Sequence, residues 1–389
     1  MIAIVLATIA FAAWLYLIFA RGGFWRCVER DDWPSAKLAA WPSVAVVVPA
    51  RNEAEQIGAS MDALARQDYA GPWTVILVDD ESSDGTADIA RRSFLDRGDE
   101  RLRVVRCRAL PAGWTGKLWA IKQGLDLAMA LPRPPDYLLL TDADIEHPPD
   151  SISRLVTHAH PNGLVLTSLM VKLRCWSFAE RASVPAFIFF FQMLYPFSWV
   201  NQPHRAIAAA AGGCMILRAD ALAKAGGIEV IRGALIDDCA LAGVLKRHGP
   251  IWLALTTRVS SNRRYESLAD IRAMVVRSAY AQLRYSPLLL TVTIAAMVAT
   301  FLAPPVIALF GTGIARVLGV ATWCLMALAF APTLRLYRCS TLWGFALPAI
   351  ALLYLIFTVD AAYQYARGRG GTWKGRVQAN VQSNASELQ

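Results

Sequence analysis

Val44-Ala-Val-Val-Val-Pro49-Ala-Arg-Asn-Glu53, Thr74-Val-Ile-Leu-Val-Asp79-Asp80-Glu-Ser-Ser-Asp84-Gly85-Thr86 and Tyr137-Leu-Leu-Leu-Thr-Asp142-Ala-Asp144-Ile-Glu146 share one pattern, a short apolar run that ends in acidic residues. Each run predicts a buried strand. In an open α/β sheet the ligand crevice lies beyond the carboxyl ends of the strands, so these acids line one cleft. Carboxylates that converge need a cation. A diphosphate-bearing ligand bridged by a divalent metal is the simplest partner, because Mg2+ and Mn2+ are held by a few carboxylates plus phosphate oxygens.

Outward from these runs, the stretch between about Pro42 and Pro287 alternates strand-like and helical patterns, which predicts an α/β sheet with helices on both faces. Ile57, Met61, Leu64 and Ala65 fall at helical spacing behind the first strand, with Asn52-Glu53 as the cap. Leu102 to Val105 predicts a third strand, Leu118 to Ala130 a helix, and Leu164 to Leu169 a later strand. Pro148 suits the first turn of a helix, where a missing N–H costs nothing. From Trp176 to Val200 the chain is aromatic and nearly uncharged after Arg181. Such a segment lies at the headgroup level of a bilayer or forms a buried core helix.

Composition sets the setting. Of 389 residues, 56% are hydrophobic and only 18% charged, too apolar for a purely soluble enzyme. Residues 1–20 are long enough to cross a bilayer core. No basic stretch precedes them and no small-residue cleavage site follows, which favours a retained anchor over a signal peptide. Leu288 to Phe310, Val317 to Leu334 and Trp343 to Val359 are three further apolar runs, so residues 288–366 are expected to form a C-terminal transmembrane region. Pro304-Pro305 and Pro332 are tolerated there if neighbouring helices satisfy the freed carbonyls. Arg21, Arg26, Arg30 and Lys37 place residues 42–287 in the cytoplasm, at a bacterial-type inner membrane. Three full late spans would then put Arg367, Arg369, Lys374 and Arg376 outside, against the same rule, so one late segment is re-entrant or the band around Phe187 to Val200 is embedded more deeply. The net charge of +9 suits an anionic leaflet and phosphorylated ligands. There is no nucleic-acid module. Seven scattered cysteines without Cys-x-x-Cys spacing predict reduced, mostly buried thiols. Residues 367–389 read as a basic, then polar tail, disordered from Gln378 on.

Asp142-Ala-Asp144 gains its meaning from context. Pro49-x-x-Asn52-Glu53, Asp79-Asp80 with Asp84-Gly85-Thr86, Lys117, and Asp142-Ala-Asp144-x-x-His147-Pro148-Pro149 together resemble, in order and spacing, the nucleotide-sugar domain of glycosyltransferase family 2. The resemblance spans about residues 43 to 260 and implies a GT-A-like mixed-sheet domain. It also implies that Pro49, Arg51 and Glu53 surround the base and ribose, that Asp80 reaches the nucleobase, and that Lys117 and Asp142 approach the ribose and phosphates. Asp144 would ligate Mn2+ or Mg2+, with Glu146 as second ligand. Chemistry supports such a site, since a divalent cation stabilises the charge that develops on an expelled diphosphate. Asp79 and Asp84 have a simpler reading, as side chains that turn or cap their loop.

Gly212-Gly213-Cys214 followed by Asp237-Asp238-Cys-Ala-Leu241 resembles the acceptor half of the same family, with Asp238 at the catalytic position. An attacking hydroxyl must lose its proton, so a carboxylate is required as general base. Asp237 is the second choice, and a helix N-cap the structural alternative for either. Processive members carry Gln-x-x-Arg-Trp; Gln282-Leu-Arg284-Tyr285 departs from that spacing, which favours single transfer to a lipid over polymer synthesis. Arg284 is expected to hold the diphosphate or a lipid headgroup, or else to snorkel before a span.

Thr372-Trp373-Lys-Gly-Arg376, the Gly113-Trp-Thr-Gly-Lys117 loop and the one-early, several-late arrangement of spans resemble the hopanoid-biosynthesis-associated glycosyltransferases. The resemblance implies a membrane-bound, inverting transfer from a nucleotide-diphosphate sugar to a membrane lipid in hopanoid biosynthesis. Other acceptors for the same chemistry are a ceramide-like lipid, a carotenoid, a polyprenyl phosphate or a polysaccharide. A reading of a different class is a non-catalytic membrane sensor of nucleotide sugars, which needs the metal site but not Asp238.

Overall fold

The computed structural model describes residues 1–34, 38–373 and 376–377. Lys37, Lys374 and the tail from Gln378 lie outside them. In chain order the helices and strands are α1 (Ile2–Phe19), β1 (Val44–Ala50), α2 (Ala54–Ala65), β2 (Trp73–Asp79), α3 (Thr86–Leu95), β3 (Leu102–Arg106), α4 (Gly116–Met129), β4 (Tyr137–Thr141), β5 (Ile145–Glu146), α5 (Ser151–Ala159) and β6 (Leu166–Lys172). They continue with α6 (Phe178–Leu194), α7 (Phe197–Val200), β7 (Cys214–Arg218), α8 (Ala219–Lys224), α9 (Asp237–Leu245), β8 (Ile251–Ser261), α10 (Leu268–Gln282), α11 (Pro287–Met297), α12 (Ala303–Phe310), α13 (Gly313–Leu336), α14 (Leu347–Ala366), β9 (Thr372–Trp373) and β10 (Arg376–Val377).

By its internal contacts the chain divides into two compact units. One contains residues 29–174 and 200–263, together with 372–373 and 376–377; the other contains residues 1–28, 175–199 and 264–371. The division differs from a single block over 42–287, because α6 and α10 group with the late helices.

The first unit is built on an eight-stranded mixed sheet in the order β3-β2-β1-β4-β7-β6-β8-β5. β1 pairs in parallel with β2 and β4, whereas β7 runs antiparallel to both β4 and β6. Every residue of β1 is buried, as expected for a central strand covered on both faces, and this accounts for its unbroken apolar run. α4 packs on β1 and β2 through Gly124, where a Cβ would lie 2.4 Å from Val47 Cγ1. Only glycine lets the helix come so close.

Two local expectations are corrected. α2 begins after Glu53, but neither Asn52 nor Glu53 caps it by side chain. Its first N–H, from Ala54, is taken by Asp84 Oδ2 of the following loop at 3.0 Å. Pro148 lies ahead of α5 rather than in its first turn; its carbonyl accepts from Ser151 N and from Gln67 Nε2.

The second unit is helical. Among the described residues, five segments are long and apolar enough to cross a membrane: Ile2–Phe19, Phe178–Val200, Pro287–Phe310, Gly313–Leu336 and Thr341–Ala366. α6 packs against α13, α10 and α14, and Phe189 and Gln192 on it are buried, which is the core-helix alternative for the aromatic stretch. Ser177 opens it with a capping box through Glu180. Arg272 of α10 pairs with Asp360 of α14 at 2.6 Å. The seven cysteines are free thiols, but only Cys27, Cys107 and Cys214 are buried and Cys324 is exposed.

The segment from Pro287 to Phe310 passes through a π-helical turn at Val298–Leu302 just before Pro304-Pro305. Pro304 has no N–H to give to the carbonyl four residues back, that of Thr300. The indole Nε1 of Trp14, wholly buried on α1, donates to that carbonyl at 2.9 Å. Trp14 thus supplies the donor that proline removed. Trp14→Phe keeps most of the apolar bulk and orphans the carbonyl, so it should lower the stability of the detergent-solubilised chain by about 1–3 kcal/mol, read as a drop in Tm against wild type.

Candidate active site

The loops after β1 and β2 are stitched together. Asn52, at a left-handed φ of 50°, donates its N–H to Ser82 Oγ and accepts from Ser83 N. Glu53 N donates to Thr86 Oγ1. Slight burial disfavours the Asp84 charge, but hydrogen bonds from the Thr86 hydroxyl and the Ala54 and Thr86 amides outweigh it and hold its pKa below the usual carboxylate range. Asp84 is therefore the loop-forming Asx residue of the simpler reading, and Asp79 likewise accepts from Ser82 N. Arg51 Nη1 donates to the Asp80 carbonyl and lies 3.4 Å from Asp80 Oδ2 and 3.8 Å from Glu81. Asp80 is buried beside this guanidinium. Pro49 is buried within β1.

Beyond β4 the acids gather in two clusters, joined through Asp142-Ala-Asp144. In the first, Lys117 Nζ lies 2.9 Å from Asp142 Oδ1 and 3.4 Å from Asp237 Oδ2. Lys117 is placed by the first turn of α4, whose N-cap Thr115 accepts from Leu118 N. Burial disfavours its ammonium, but Asp142 and Asp237 outweigh the burial and raise its pKa. Asp237 and Asp238 form the first turn of α9. Asp238 Oδ2 accepts from Gly212 N at 2.9 Å and Oδ1 from Cys239 N at 2.7 Å. A Cβ on Gly212 would stand 3.3 Å from Lys117 Nζ and 3.4 Å from Asp238 Oδ2, so the small-residue loop lets the backbone reach both. Burial, and then the neighbouring Asp237 charge, push the Asp238 pKa up to about 6 against the pull of Lys117. A carboxylate tuned in this way is ionised at neutral pH and still basic enough to take a proton.

In the second cluster Arg263 holds two acids at once. Its Nη2 donates to both Glu53 oxygens at 2.8 and 2.9 Å, and its Nε to Asp144 Oδ2 at 3.2 Å. Ser261 Oγ donates to the same Asp144 oxygen at 2.6 Å. Glu53 and Asp144 are each 7% exposed. Glu146 lies in β5, opposite Ser260 of β8. His147 is buried, and burial lowers its pKa to about 4. Its Nε2 lies 2.9 Å from Thr141 Oγ1, which itself donates to the Gly213 carbonyl. The end of β4 is thereby locked to the glycine loop before β7.

The structure thus brings Lys117, Asp142, Asp237 and Asp238 together, joins Glu53 to Asp144, and pairs Arg51 with Asp80. Arg284 belongs to the helical unit, where it follows α10 at φ 52°. Arg263 and Ser261 are absent from the sequence-based set, because β8 ends in the polar run Thr256-Thr-Arg-Val-Ser-Ser261 and not in the apolar pattern that marked the acids.

No three His, Cys, Asp or Glu side chains cluster as a ready metal cage among the described residues. The donor set still fits Mg2+ or Mn2+, which take one or two carboxylates and fill the remaining positions from phosphate and water. Asp142 and Asp144 are two such carboxylates, and both contacts to the Asp144 side chain fall on Oδ2.

Residues 45–226 match the family described as glycosyl transferase family 2. The match runs from β1 to α8. Among curated relatives, an undecaprenyl-phosphate 4-deoxy-4-formamido-L-arabinose transferase of Pectobacterium carotovorum is 33% identical over 120 residues, 30% of this chain and 33% of the relative. Its counterpart in Serratia proteamaculans is 32% identical over 115 residues, 29% of this chain and 32% of the relative. The matched part of the chain spans about a third of the length of these relatives. Among solved structures, a mannosyltransferase of Pyrobaculum calidifontis in complex with GDP-Man and Mn2+ covers 93% of this chain and 98% of its own, with a TM-score of 0.54 and 20% identity. That likeness shows the fold, a GT-A-like mixed sheet with helices.

Lys117→Met leaves Asp142, Asp237 and Asp238 without their shared cation. Stability should fall by about 1–3 kcal/mol at pH 8, a buried-pair loss discounted for partial exposure. The folded Asp238 pKa is raised, so its ionisation penalty is absent below the unfolded carboxylate range and complete once pH has risen past about 6. The Tm deficit of the variant should accordingly shrink as pH falls from 8 to 5.

Proposed function

We propose that this chain is a membrane-bound, inverting glycosyltransferase that takes a nucleotide-diphosphate sugar and moves the sugar to a membrane lipid, with Mn2+ or Mg2+ as cofactor. The observation that carries the reading is Asp238, half-buried against Gly212 and raised to about 6, beside the Lys117–Asp142–Asp237 cluster. Five helices of membrane length support the lipid acceptor. Glu53, Asp142, Asp144, Asp237 and Asp238 set five carboxylates against Lys117 and Arg263, leaving three formal negative charges. An anionic diphosphate approaches such a site only with additional positive charge.

In this reading Asp142 and Asp144 would hold the metal, which when bound neutralises the diphosphate as it leaves. Lys117 keeps Asp142 and Asp237 in place. Arg51 and Asp80 form the floor for the base and ribose, and Pro49 fixes the end of β1 beneath them. Glu53 acts through Arg263 rather than on the ribose. Asp238 takes the acceptor proton on whichever oxygen exchanges its backbone N–H for the acceptor hydroxyl. Arg284, Glu146 and the cytoplasmic side of an inner membrane remain parts of the proposal that rest on the sequence.

The curated relatives turn the choice of acceptor toward a polyprenyl phosphate, since that is the acceptor class their names carry. The hopanoid acceptor rests on the late Thr372-Trp373 motif and the Gly113–Lys117 loop. Asp238 separates the two chemically. A phosphate oxygen is ionised near neutral pH and attacks without a base, whereas a hydroxyl has to be deprotonated. The raised pKa of this half-buried acid favours a hydroxyl-bearing lipid as the second reading.

With a hydroxyl acceptor, Asp238→Asn should lower transfer by about 10²-fold or more while donor binding persists, the scale of losing a positioned base. With a polyprenyl phosphate the loss should be far smaller. In wild type the rate should climb as pH rises through about 6, as Asp238 ionises. Radiolabelled sugar transfer into extracted lipids, assayed with each acceptor class, reads these outcomes. A wild-type chain that binds donor and transfers to neither class supports the sensor.

Chelation should abolish donor turnover, and Mn2+ or Mg2+ should restore it. Full activity of Asp144→Ala in metal-free buffer would remove Asp144 from the metal site.

A further inference from the structure

Asp144 already has a cation. Arg263 stands at the end of β8, where Ser261 and Asn262 place it: Asn262 N donates to the Asp144 carbonyl at 3.0 Å, and Arg263 N donates to Ser261 Oγ at 3.2 Å. Its guanidinium then spans two buried acids from different strand ends, Glu53 after β1 and Asp144 after β4. Both oxygens of Glu53 and one of Asp144 are occupied by donors from this end of β8. A divalent ion on Asp144 meets that positive charge at close range, where electrostatic forces are weakly screened. The Arg263 side chain is 28% exposed, more open than the acids it holds, so it can also face an incoming anion.

We propose that Arg263 is a built-in counter-cation of Asp144 that competes with the divalent metal, so that metal and nucleoside diphosphate bind together rather than metal first. The proposal rests on the reading of Asp144 as a metal carboxylate. When the diphosphate arrives, its negative charge relieves the repulsion between metal and guanidinium, and each ligand raises the affinity of the other by the same factor. Arg263 is a positioning residue here, acting on the metal through Asp144.

The test is Mn2+ binding to the full detergent-solubilised chain, read from the electron paramagnetic resonance signal of free Mn2+, first with Mn2+ alone and then with saturating GDP or UDP. Arg263→Gln should bind Mn2+ alone about tenfold tighter than wild type or better, as expected for removing an adjacent like charge. The advantage should shrink when the nucleotide is present. Adding Asp144→Asn to that variant should abolish the gain. Arg263→Lys keeps the charge but loses the two-pronged hold and should fall between the two; it also serves if the glutamine variant does not fold. Equal or weaker Mn2+ binding by folded Arg263→Gln, or wild-type affinity in Arg263→Lys where only that variant folds, overturns the proposal while leaving the metal site standing. Failure of every form to bind Mn2+, with and without nucleotide, overturns the metal reading of Asp144 as well.

Discussion

The charge balance at the carboxyl end of β4 is the constraint on which the sheet unit depends. Lys117 and Arg263 are the chain's own answer to five acids drawn to one edge. Each cation is delivered by an element other than the ones that carry its acids. Lys117 comes from the first turn of α4 and Arg263 from the end of β8. The packing that sets those elements, down to the absent Cβ of Gly124 against Val47, therefore also sets the electrostatics of the site. Buried charges of one sign persist only where partners are held in place, so fold and site are specified together.

The two neighbouring acids of α9 show how position divides similar groups. Asp237 faces Lys117, whereas Asp238 turns to the Gly212 amide and the Cys239 amide. Both stand at a helix N-terminus, where backbone N–H groups favour a negative charge. For Asp238, burial and the Asp237 charge prevail over that help, and the result is an acid near 6. One acid is held in an ion pair, and its neighbour keeps a raised pKa.

Much of this was legible in the sequence because its signals are local. Apolar runs ending in acids gave β1, β2 and β4, and Gly212-Gly213 marked the loop that touches Asp238. Asp84 also read correctly as a loop residue, although its reach to the α2 N-terminus was assigned to Asn52 and Glu53. The partners were not legible. Arg263 is 210 residues from Glu53 and 119 from Asp144, and sequence pattern carries no trace of a pairing that only the sheet order β1-β4-β7-β6-β8-β5 creates. The same holds for α6, whose aromatic run is equally suited to a membrane surface and a helix core until its neighbours are known.

The helical unit meets the same requirement with a neutral donor. Pro304 leaves the Thr300 carbonyl without its helical N–H, and in an apolar surrounding no water replaces it. An indole from the first helix does. Proline at that position is tolerable because Trp14 is present, and Trp14 can be fully buried because the proline leaves an acceptor for its N–H. Neither residue is explained by its own helix. In both units, then, a group that would be costly alone is kept by one distant side chain that completes it, a carboxylate by Arg263 and a carbonyl by Trp14. These long-range complements fix which helix lies against which and which acid faces which cation, a specificity that apolar patterning alone does not supply.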